Sequence, residues 1–432
     1  MLFFCTYIFS QNYYTTSPEG FGEATTGGGS ATPVTVTTYA DLKTNIKLAT
    51  PQVILISGTI NFSASDFQIS EVVTNKTIIG LPGARIINNK QTQSGSGILN
   101  LKAGSSNVII RNLIFEGPGA YDVDGRDNLG VEGCINLWVD HCEFQDGTDG
   151  NFDIKNNSDN ITVSWCKFTY LKPAVPGGPG GSNDHRFSNL IGSGDSNAPA
   201  DGHFSVTFQN CYWADGCKER MPRARNSELH ILNCYYNTNV SSSRALGFSG
   251  GTNTLSCYVE NSNFANIGTV YQSYGGTVNL TYDGCISPKS FSNIGSTVTK
   301  PTYSYSVIPV NDVESLLTDS SCGAGATLQV DANGAVSSSC DSLSTEDNIL
   351  EAGLKLYPTL IDDVLNIEFK NQLFRNATIE VYSITGKKAL SFSHNIVSDE
   401  KLVLNLNRLS SGFYLVNIKM KNASVTKKLV KK

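Results

Sequence analysis

Charged residues, methionine and long apolar runs are scarce in this chain. Of its 432 residues, 16% are charged and 3 are methionine, whereas 40 are glycine. This composition is typical of a turn-rich β protein and argues against a mainly helical one. The net charge of -6 offers no basic surplus that would indicate nucleic-acid binding. A polyanionic partner would have to be attracted by a local basic patch or by a bound cation.

No internal run approaches the roughly 18–20 apolar residues of a membrane span. Residues 1–10, MLFFCTYIFS, are apolar and precede a polar segment. They indicate a signal peptide without the usual basic start, and a short buried strand is the alternative. Loss of Cys5 with this segment would leave an even ten of the 11 cysteines, which suits an oxidising compartment. No C-x-x-C metal pattern occurs.

A short phrase recurs seven times along the chain. Each copy begins with a large apolar or aromatic residue: Ile110, Val139, Val163, Phe208, Ile231, Val259 and Tyr282. Three residues later, most copies have cysteine: Leu113, Cys142, Cys166, Cys211, Cys234, Ser262 and Cys285. Five residues after the start, most copies have an aromatic residue: Phe115, Phe144, Phe168, Trp213, Tyr236, Phe264 and Ser287. A unit of about 23 residues made of short strands is what a parallel β-helix requires.

One interval of 45 residues between copies predicts a coil with a long excursion, residues 173–187, and such loops are often functional. A β-sandwich is the alternative fold, but its turns would not hold one register through seven copies. The register stacks the repeat cysteines about 4.8 Å apart. That spacing permits disulfides, although we favour buried thiols.

The composition changes after about Asp341. The segment that follows is rich in lysine and alternates in VLNIEF, KLVLNLNRL and GFYLVNIKM. Short strands with GK and SSG turns predict a small β-sandwich, with another binding module as the alternative. We therefore predict an all-β chain with a parallel β-helix domain over residues 20–341 and a C-terminal domain over 342–432.

Three aspartates form a candidate metal site. Asp149 and Asp153 are four residues apart in DGNFD, so on an extended strand they would project from one face. Asp127 precedes them by about one coil. Carboxylates on neighbouring coils suit Ca²⁺ better than zinc or copper. Taken alone, the spacing is better explained by an Asp-Gly turn followed by a solvated aspartate.

Basic residues cluster further along the chain. Lys172 is followed by Arg220, Arg223 and Arg225 in RMPRAR. Pro222 interrupts the strand, which allows Arg220 to point away from the face shared by the other two arginines. Arginine is suited to bidentate recognition of carboxylates. The pattern therefore predicts binding of a polymer that carries carboxylates, although a surface salt bridge would explain any single arginine.

Several motifs in this order resemble the pectate lyase superfamily, polysaccharide lyase family 1. WVDH resembles the family's WIDH, DGNFDIK its DG-x-x-D segment, ERMPRAR its ERAPRVR, and LIGSGDS its LIG-x-SD segment. The resemblance covers about Gly20 to Ser306. It implies a right-handed, single-stranded parallel β-helix and a secreted, monomeric enzyme.

The resemblance also implies roles for individual residues. The primary calcium ligands would be Asp127, Asp149 and Asp153. The catalytic base would be Arg220, with Lys172, Arg223 and Arg225 as substrate-binding residues. Asp140 and His141 of WVDH would support the site without being ligands. Two departures from the family pattern, Met221 in place of alanine and the insertion after Lys172, affect the shape of the groove.

The implied reaction is β-elimination in α-1,4-linked polygalacturonate, the main chain of pectin. Ca²⁺ and basic side chains would neutralise the uronate carboxylate and acidify the proton at C5. A base removes that proton and the oxygen at C4 leaves. Arginine is normally protonated, so Arg220 would need alkaline pH, neighbouring positive charge and desolvation to act as a base.

The C-terminal segment has a separate resemblance. LYPTLIDDVLNIEF, VYSITGKKAL and TKKLVKK resemble the sorting domain of the type IX secretion system, with YPTL in place of the usual YPNP. This implies recognition by that machinery and release from the cell or display at its outer surface.

Three other functions remain open from the sequence. A pectin lyase acting on methylated polymer without calcium would be expected to lack the aspartate trio. A β-helix hydrolase such as a polygalacturonase would need paired acids, and the arginine cluster argues against it. A non-catalytic surface β-helix that only binds pectin would keep the groove but would not depend on Arg220.

Overall fold

The computed structural model describes residues 14–340, 354–369, 377–384, 386–394, 401–419 and 424–432. The predicted signal peptide, residues 1–10, lies outside these residues, as does the start of the predicted C-terminal domain. The chain divides into two compact units, Tyr14–Ser339 and a second that contains Cys340–Lys432. Within the described residues, no helix has the length and apolarity to cross a membrane.

The larger unit contains a 3-10 helix, two α-helices and 28 short strands. The helices are the 3-10 helix Gly20–Gly22, α1 (Tyr39–Lys47) and α2 (Val313–Leu317). The strands are β1 (Pro33–Val36), β2 (Gln52–Ile56), β3 (Thr59–Asn61), β4 (Ile69–Glu71), β5 (Thr74–Gly80), β6 (Arg85–Ile87), β7 (Leu99–Leu101), β8 (Ser106–Arg111), β9 (Ile114–Glu116), β10 (Leu129–Glu132), β11 (Ile135–Asp140), β12 (Glu143–Gln145), β13 (Phe152–Lys155), β14 (Asp159–Ser164), β15 (Lys167–Thr169), β16 (Asn189–Ile191), β17 (Phe204–Gln209), β18 (Tyr212–Trp213), β19 (Arg223–Arg225), β20 (Ser227–Leu232), β21 (Tyr235–Asn237), β22 (Arg244–Ser249), β23 (Thr254–Glu260), β24 (Asn263–Asn266), β25 (Thr269–Ser273), β26 (Thr277–Asp283), β27 (Gln329–Val330) and β28 (Val336–Ser337).

Three parallel sheets form the body of this unit. Sheet I has ten strands in the order β1-β2-β5-β8-β11-β14-β17-β20-β23-β26. Sheet II has eight in the order β24-β21-β18-β15-β12-β9-β6-β3, and sheet III has eight in the order β25-β22-β19-β16-β13-β10-β7-β4. Each full coil gives one strand to each sheet, as β10, β11 and β12 do. This architecture confirms the predicted parallel β-helix.

The repeat register is the register of sheet I. Val139 pairs with Ile110 on one side and with Val163 on the other, and the series continues through Phe208 to Tyr282. The aromatic residues five positions after each start stack inside the helix. Successive ring centroids from Phe115 to Phe264 are 4.9, 5.3, 5.5, 4.6 and 4.4 Å apart. The repeat thus corresponds to the residues that each coil buries against the next.

The cysteine positions of the repeat also lie in the core. The structure describes Cys142, Cys166, Cys211, Cys234 and Cys285 as free thiols. All but Cys285 are fully buried, and burial raises the pKa of Cys211 well above its ordinary value. The prediction of buried thiols is confirmed, and these cysteines pack as small apolar side chains.

A turn with left-handed backbone follows each strand of sheet I from β8 to β23. The residues with positive φ at this position are Asn112, His141, Trp165, Asn210, Asn233 and Asn261. Asparagine adopts this conformation more readily than most residues. His141 takes the same place, and its ring stacks on Trp165 at a centroid distance of 5.4 Å. His141 therefore belongs to the scaffold of the turn.

Lys76 on β5 provides an internal support near the start of the helix. Its side chain is fully buried, and its ammonium donates to the carbonyls of Leu48, Thr50 and Thr74 at 2.7, 2.9 and 2.8 Å. Because Lys76→Met would leave these carbonyls without their donor, we expect it to lower the free energy of unfolding by about 2–4 kcal/mol. Urea denaturation measures this change. The exposed Lys102→Met is the matched control, and equal stability of the two variants would contradict this role.

The C-terminal unit is built from antiparallel strands in two sheets. Its strands are β29 (Leu354–Tyr357), β30 (Leu360–Ile361), β31 (Val364–Phe369), β32 (Ala377–Ser383), β33 (Lys388–His394), β34 (Lys401–Asn405), β35 (Gly412–Lys419) and β36 (Ser424–Lys431). The sheets have the orders β29-β31-β34 and β30-β36-β35-β32-β33, with one parallel pair, β30 and β36. Ile367 and Val381, from different sheets, belong to one buried core. The predicted small β-sandwich is confirmed.

Candidate functional site

The predicted carboxylates meet on one row of connections. The chain passes from sheet II to sheet III once in each coil, and we call these stacked connections the II–III edge. Asp127 precedes β10, Asp149 lies in the next connection, and Asp153 lies on β13. The prediction that Asp149 and Asp153 share one face of a strand is wrong, because β13 begins only at Phe152. The coils are nevertheless adjacent, since Asp153 pairs with Gly130 of β10.

Burial and like charge characterise this acidic cluster. Asp127 and Asp153 are almost fully buried. A Cβ on Gly150 would lie 2.7 Å from Asp127 Oδ1 and 3.2 Å from Asp153 Oδ1, so glycine leaves room for both carboxylates. Burial raises the pKa of Asp127, and the charges of Asp153 and Asp149 raise it further. The surroundings of the cluster therefore do not fully offset its negative charge.

Lys155 supplies a cation inside the acidic cluster. Its Nζ lies 3.2 Å from Asp127 Oδ2 and 3.2 Å from Asp153 Oδ2, and the charge of Asp127 raises the pKa of Lys155. Asp127 Oδ1 is buried without a hydrogen-bond partner among the residues described. Sequence reasoning missed Lys155, although two residues of extended strand place it on the same face as Asp153.

The long excursion of residues 173–187 docks beside the acidic cluster. His185 is buried, with Nδ1 3.0 Å from Asp149 Oδ1 and Nε2 3.5 Å from Asp122 Oδ1. The backbone N–H of Val175 donates to the carbonyl of Ala120 at 2.8 Å. The insertion is therefore held against the connection that carries Asp127. Sequence reasoning missed His185 and Asp122, because nothing in the spacing indicates how an insertion folds.

Lys172 lies on the II–III edge one coil after Asp149. Its ammonium donates to the carbonyl of Gly117 at 2.7 Å and contacts Glu116 at 3.4 Å. It also lies 3.9 Å from a carboxylate oxygen of Asp146. With 37% of its side chain exposed, Lys172 reaches solvent, but its charge is already shared with two carboxylates.

The arginines occupy the next coil along this edge. Pro222 ends the connection and β19 begins at Arg223, so Arg220 lies in the connection and adopts a left-handed backbone conformation with φ of 61°. The Arg220 guanidinium carbon lies 4.2 Å from the centroid of the Phe187 ring. In the part of the chain that the structure describes, no carboxylate forms an ion pair with Arg220.

Arg223 and Arg225 differ in their surroundings. The guanidinium carbon of Arg223 lies 4.0 Å from the Tyr274 ring centroid. Burial lowers the pKa of Arg223, and the charges of Arg225 and Arg220 lower it further. Arg225 instead donates to the carbonyl of Gly192 at 2.8 Å and lies 3.2 Å from Asp195. Arg225 is thus held by contacts within the protein, whereas the charges of Arg220 and Arg223 have no acidic partner in the described residues.

Asp140 and His141 lie in a separate network at the end of β11. Arg111 and His141 contact Asp140 Oδ2 at 2.8 and 2.9 Å, and Ser164 donates to Oδ1 at 2.6 Å. Burial alone would raise the pKa of Asp140, but His141, Arg111 and Ser164 lower it to about 2. Asp140 and His141 were predicted to support the carboxylate site, but among the described residues neither side chain contacts it. The reason is that both project from sheet I and not from the II–III edge.

The fold and the edge together define the class of the protein: a parallel β-helix with an acidic and an arginine cluster on one row of connections. Residues 8–327 match the family model described as pectate lyase. Residues 355–432 match the secretion system C-terminal sorting domain. The chain therefore belongs to the pectate lyase family, as its motifs predicted. The sorting domain marks it as a secreted or cell-surface protein, which the sequence also predicted.

Curated relatives agree with this assignment over part of their length. The pectate trisaccharide-lyase of Thermotoga maritima is 36% identical over 222 residues, which cover 50% of this chain and 53% of the relative. A pectate lyase of Emericella nidulans is 34% identical over 222 residues, covering 50% of this chain and 59% of the relative. The chain thus spans just over half the length of these relatives.

Solved structures support the fold. A pectate lyase of Bacillus sp. N165, in complex with trigalacturonate, superimposes with a TM-score of 0.52 at 21% identity, covering 69% of this chain and 96% of that one. The cedar pollen allergen jun a 1 superimposes with a TM-score of 0.53 at 18% identity, covering 74% and 93% of the two chains. At these identities the likeness concerns the β-helix alone.

Proposed function

We propose that this protein is a secreted, calcium-dependent pectate lyase that cleaves α-1,4-linked polygalacturonate by β-elimination. One observation carries the proposal. Three carboxylates, two of them buried, lie two to three coils, about 10–14 Å, from an arginine whose guanidinium has no carboxylate partner among the described residues. Family membership and the relatives that act on pectate favour the same substrate class.

The donor set fits a hard divalent cation. Asp127, Asp149 and Asp153 offer carboxylate oxygens, which are the ligands that Ca²⁺ prefers. Lys155 offsets part of their charge, and Asp127 Oδ1 is buried with no hydrogen-bond partner in the described part of the chain. Burial and the negative charges of the neighbouring aspartates raise the pKa of Asp127. A cation would relieve this excess of negative charge, and these three aspartates would hold it.

His185 and Asp122 would position the metal ligands. The imidazole of His185 contacts Asp149 and Asp122, so it fixes the Asp149 carboxylate from the side of the excursion. Loss of such a contact around a ligand typically lowers metal affinity by about 10–100-fold. We propose that holding Asp149 is the purpose of docking the excursion.

Bound calcium would supply a positive charge that neutralises the uronate carboxylate and stabilises the enediolate as it forms. Arg220, as neutral guanidine, would accept the proton from C5. The electrons of the C5–H bond form the double bond between C4 and C5, and the C4–O bond breaks. The departing oxygen takes a proton from solvent. This leaves a 4,5-unsaturated sugar on one fragment and a hydroxyl on the other.

The neighbouring basic groups would support this step. Arg223 lies beside Arg220, and the lowered pKa of Arg223 reflects burial and a crowd of positive charges that disfavours further protonation. Arg223 would also pair with a substrate carboxylate, because its charge is not consumed by an acid in the described residues. Lys172 and Arg225 are retained as substrate-binding candidates, although each already has protein partners.

The alternatives are less favoured. A calcium-independent pectin lyase would have no use for three clustered carboxylates, two of them buried. A hydrolase would need paired acids on both sides of the scissile bond, whereas basic groups follow the carboxylates along this edge. We also propose that the C-terminal unit is recognised by the type IX secretion machinery, as its motifs predicted.

Absorbance of unsaturated products tests the proposal directly. Incubation with polygalacturonate at alkaline pH and added Ca²⁺ should give products absorbing in the ultraviolet, and a chelator should abolish them. Products that persist with chelator and increase on methylated pectin would favour a pectin lyase. Absence of product with retained binding would favour a non-catalytic pectin-binding protein.

A further inference from the structure

Three side chains line the II–III edge on the side of the acidic cluster away from Arg220. Phe67 lies in the connection from β3 to β4, Lys90 in the connection from β6 to β7, and Arg126 in the connection from β9 to β10. These connections belong to three consecutive coils. Arg126 directly precedes Asp127, so this patch continues without a gap into the candidate metal site.

Packing between the coils joins the patch to the acidic cluster. Arg126 Nη1 lies 3.5 Å from Gln68 Oε1, and Gln68 Nε2 lies 3.5 Å from the carbonyl oxygen of Asp127. A Cβ on Gly97 would lie 2.6 Å from Gln68 Nε2 and 2.7 Å from Arg126 Cβ. Glycine at this position therefore allows the side chains of neighbouring coils to lie against each other.

The side chains of this patch make few polar contacts within the protein. Phe67 is 54% exposed, which is unusual for a large aromatic residue. Lys90 Nζ is itself buried, lies 4.9 Å from the Phe67 ring centroid and has no hydrogen-bond acceptor in the residues described. Arg126 is exposed and contacts only the Gln68 amide among the interactions of the described chain.

Two acids lie near these cations in sequence but do not neutralise them. Asp66 accepts a hydrogen bond from the backbone N–H of Ser63 at 2.7 Å, which commits it to its own turn. Asp124 is exposed and forms no ion pair in the described residues. The patch therefore presents an exposed aromatic ring and the exposed guanidinium of Arg126, whereas the ammonium of Lys90 is buried near the ring.

We infer that Phe67 and Arg126 form a distal subsite for one galacturonate unit of the polymer. The ring of Phe67 stacks on the apolar face of the sugar, and the exposed guanidinium of Arg126 pairs with its carboxylate. This inference rests on the proposed function and extends it to chain length. Five strand spacings, about 24 Å, separate the coil of Phe67 from that of Arg220, so only a chain of several sugars contacts both.

Steady-state kinetics on substrates of two lengths tests the subsite. We expect the double variant Phe67→Ala/Arg126→Gln to raise the KM for long polygalacturonate about tenfold more than the KM for trigalacturonate, because the trimer is too short to span the edge. The exposed Lys102→Gln, which lies on the connection from sheet III to sheet I, is the matched control and should leave the ratio unchanged. Equal shifts for both substrates, or none, would overturn the inference.

Further measurements separate the possible failures. A melting temperature close to that of the wild type establishes that the double variant is folded. An equal loss of affinity for fully methyl-esterified pectin would overturn recognition of the carboxylate. If the wild type forms no unsaturated product, the proposed function fails, and the subsite is then judged by retardation in gels containing polygalacturonate. Equal retardation of wild type and double variant in those gels would overturn it.

Discussion

Arg220→Ala should lower the kcat for polygalacturonate by about 10³-fold while calcium affinity stays within about twofold of the wild type. Loss of the base removes a proton-transfer partner that acts only in the transition state, so kcat falls more than KM rises. Calcium affinity persists because Arg220 contacts Phe187 and not the aspartates. Product absorbance measures the first quantity and calorimetric titration with CaCl₂ the second.

Two further variants sharpen this test. Arg220→Lys keeps a positive charge, so recovery of turnover by lysine would indicate that charge, and not proton acceptance, is what the site requires. Arg408→Ala removes an exposed arginine from the C-terminal unit and should leave turnover unchanged. Retained turnover in Arg220→Ala would contradict the assignment of the base. A parallel fall in calcium affinity would instead indicate a disturbed edge.

The repeating part of the fold is what the sequence predicts well. Val139 and its equivalents lie in register because every coil must bury one side chain at the same height against its neighbours. The stack from Phe115 to Phe264 follows from the same rule. A strict local period therefore gives the sheets, the core and the side of the coil on which Asp127 and Arg220 lie.

The contacts of the irregular connections could not be predicted in the same way. Asp149 lies near Asp127 in a loop and not along a strand, so the parity argument grouped these carboxylates by the wrong route. Lys172 was expected to face substrate, yet its ammonium lies against Glu116 and Gly117. Both outcomes depend on how an irregular connection folds, and such a connection carries no period from which the direction of its side chains could be inferred.

The acidic cluster has a cost for stability that helps to identify its function. Asp127 and Asp153 share one ammonium, that of Lys155, and the negative charge of Asp149 also acts on Asp127. Burying charge without full compensation is unfavourable. A purely structural site would favour a neutral or evenly paired set. The arrangement is therefore better explained as a site prepared for a cation than as a contribution to folding.

Asp127→Asn should consequently weaken calcium binding without lowering the stability of the metal-free protein. We expect it to weaken calcium binding by about 100-fold, because it removes the charge of a ligand carboxylate that the fold already buries. In chelator, the same variant should unfold at an equal or higher temperature than the wild type. The reason is that burial and the neighbouring carboxylates raise the pKa of Asp127. The ionised side chain therefore costs stability once the pH exceeds the ordinary range of an aspartate, and asparagine removes that cost.

Calorimetric titration and thermal melts with and without CaCl₂ measure both effects. Addition of calcium should raise the melting temperature of the wild-type protein, whereas it should raise that of Asp127→Asn only slightly. Asp124→Asn, an exposed aspartate in the same connection, controls for the loss of one negative charge and should retain the full calcium shift. A variant Asp127→Asn that is less stable in chelator would indicate that its ion pair with Lys155 outweighs burial and repulsion. If calcium affinity were also unchanged, Asp127 would be a structural partner of Lys155, and the cation site would have to lie elsewhere on the II–III edge.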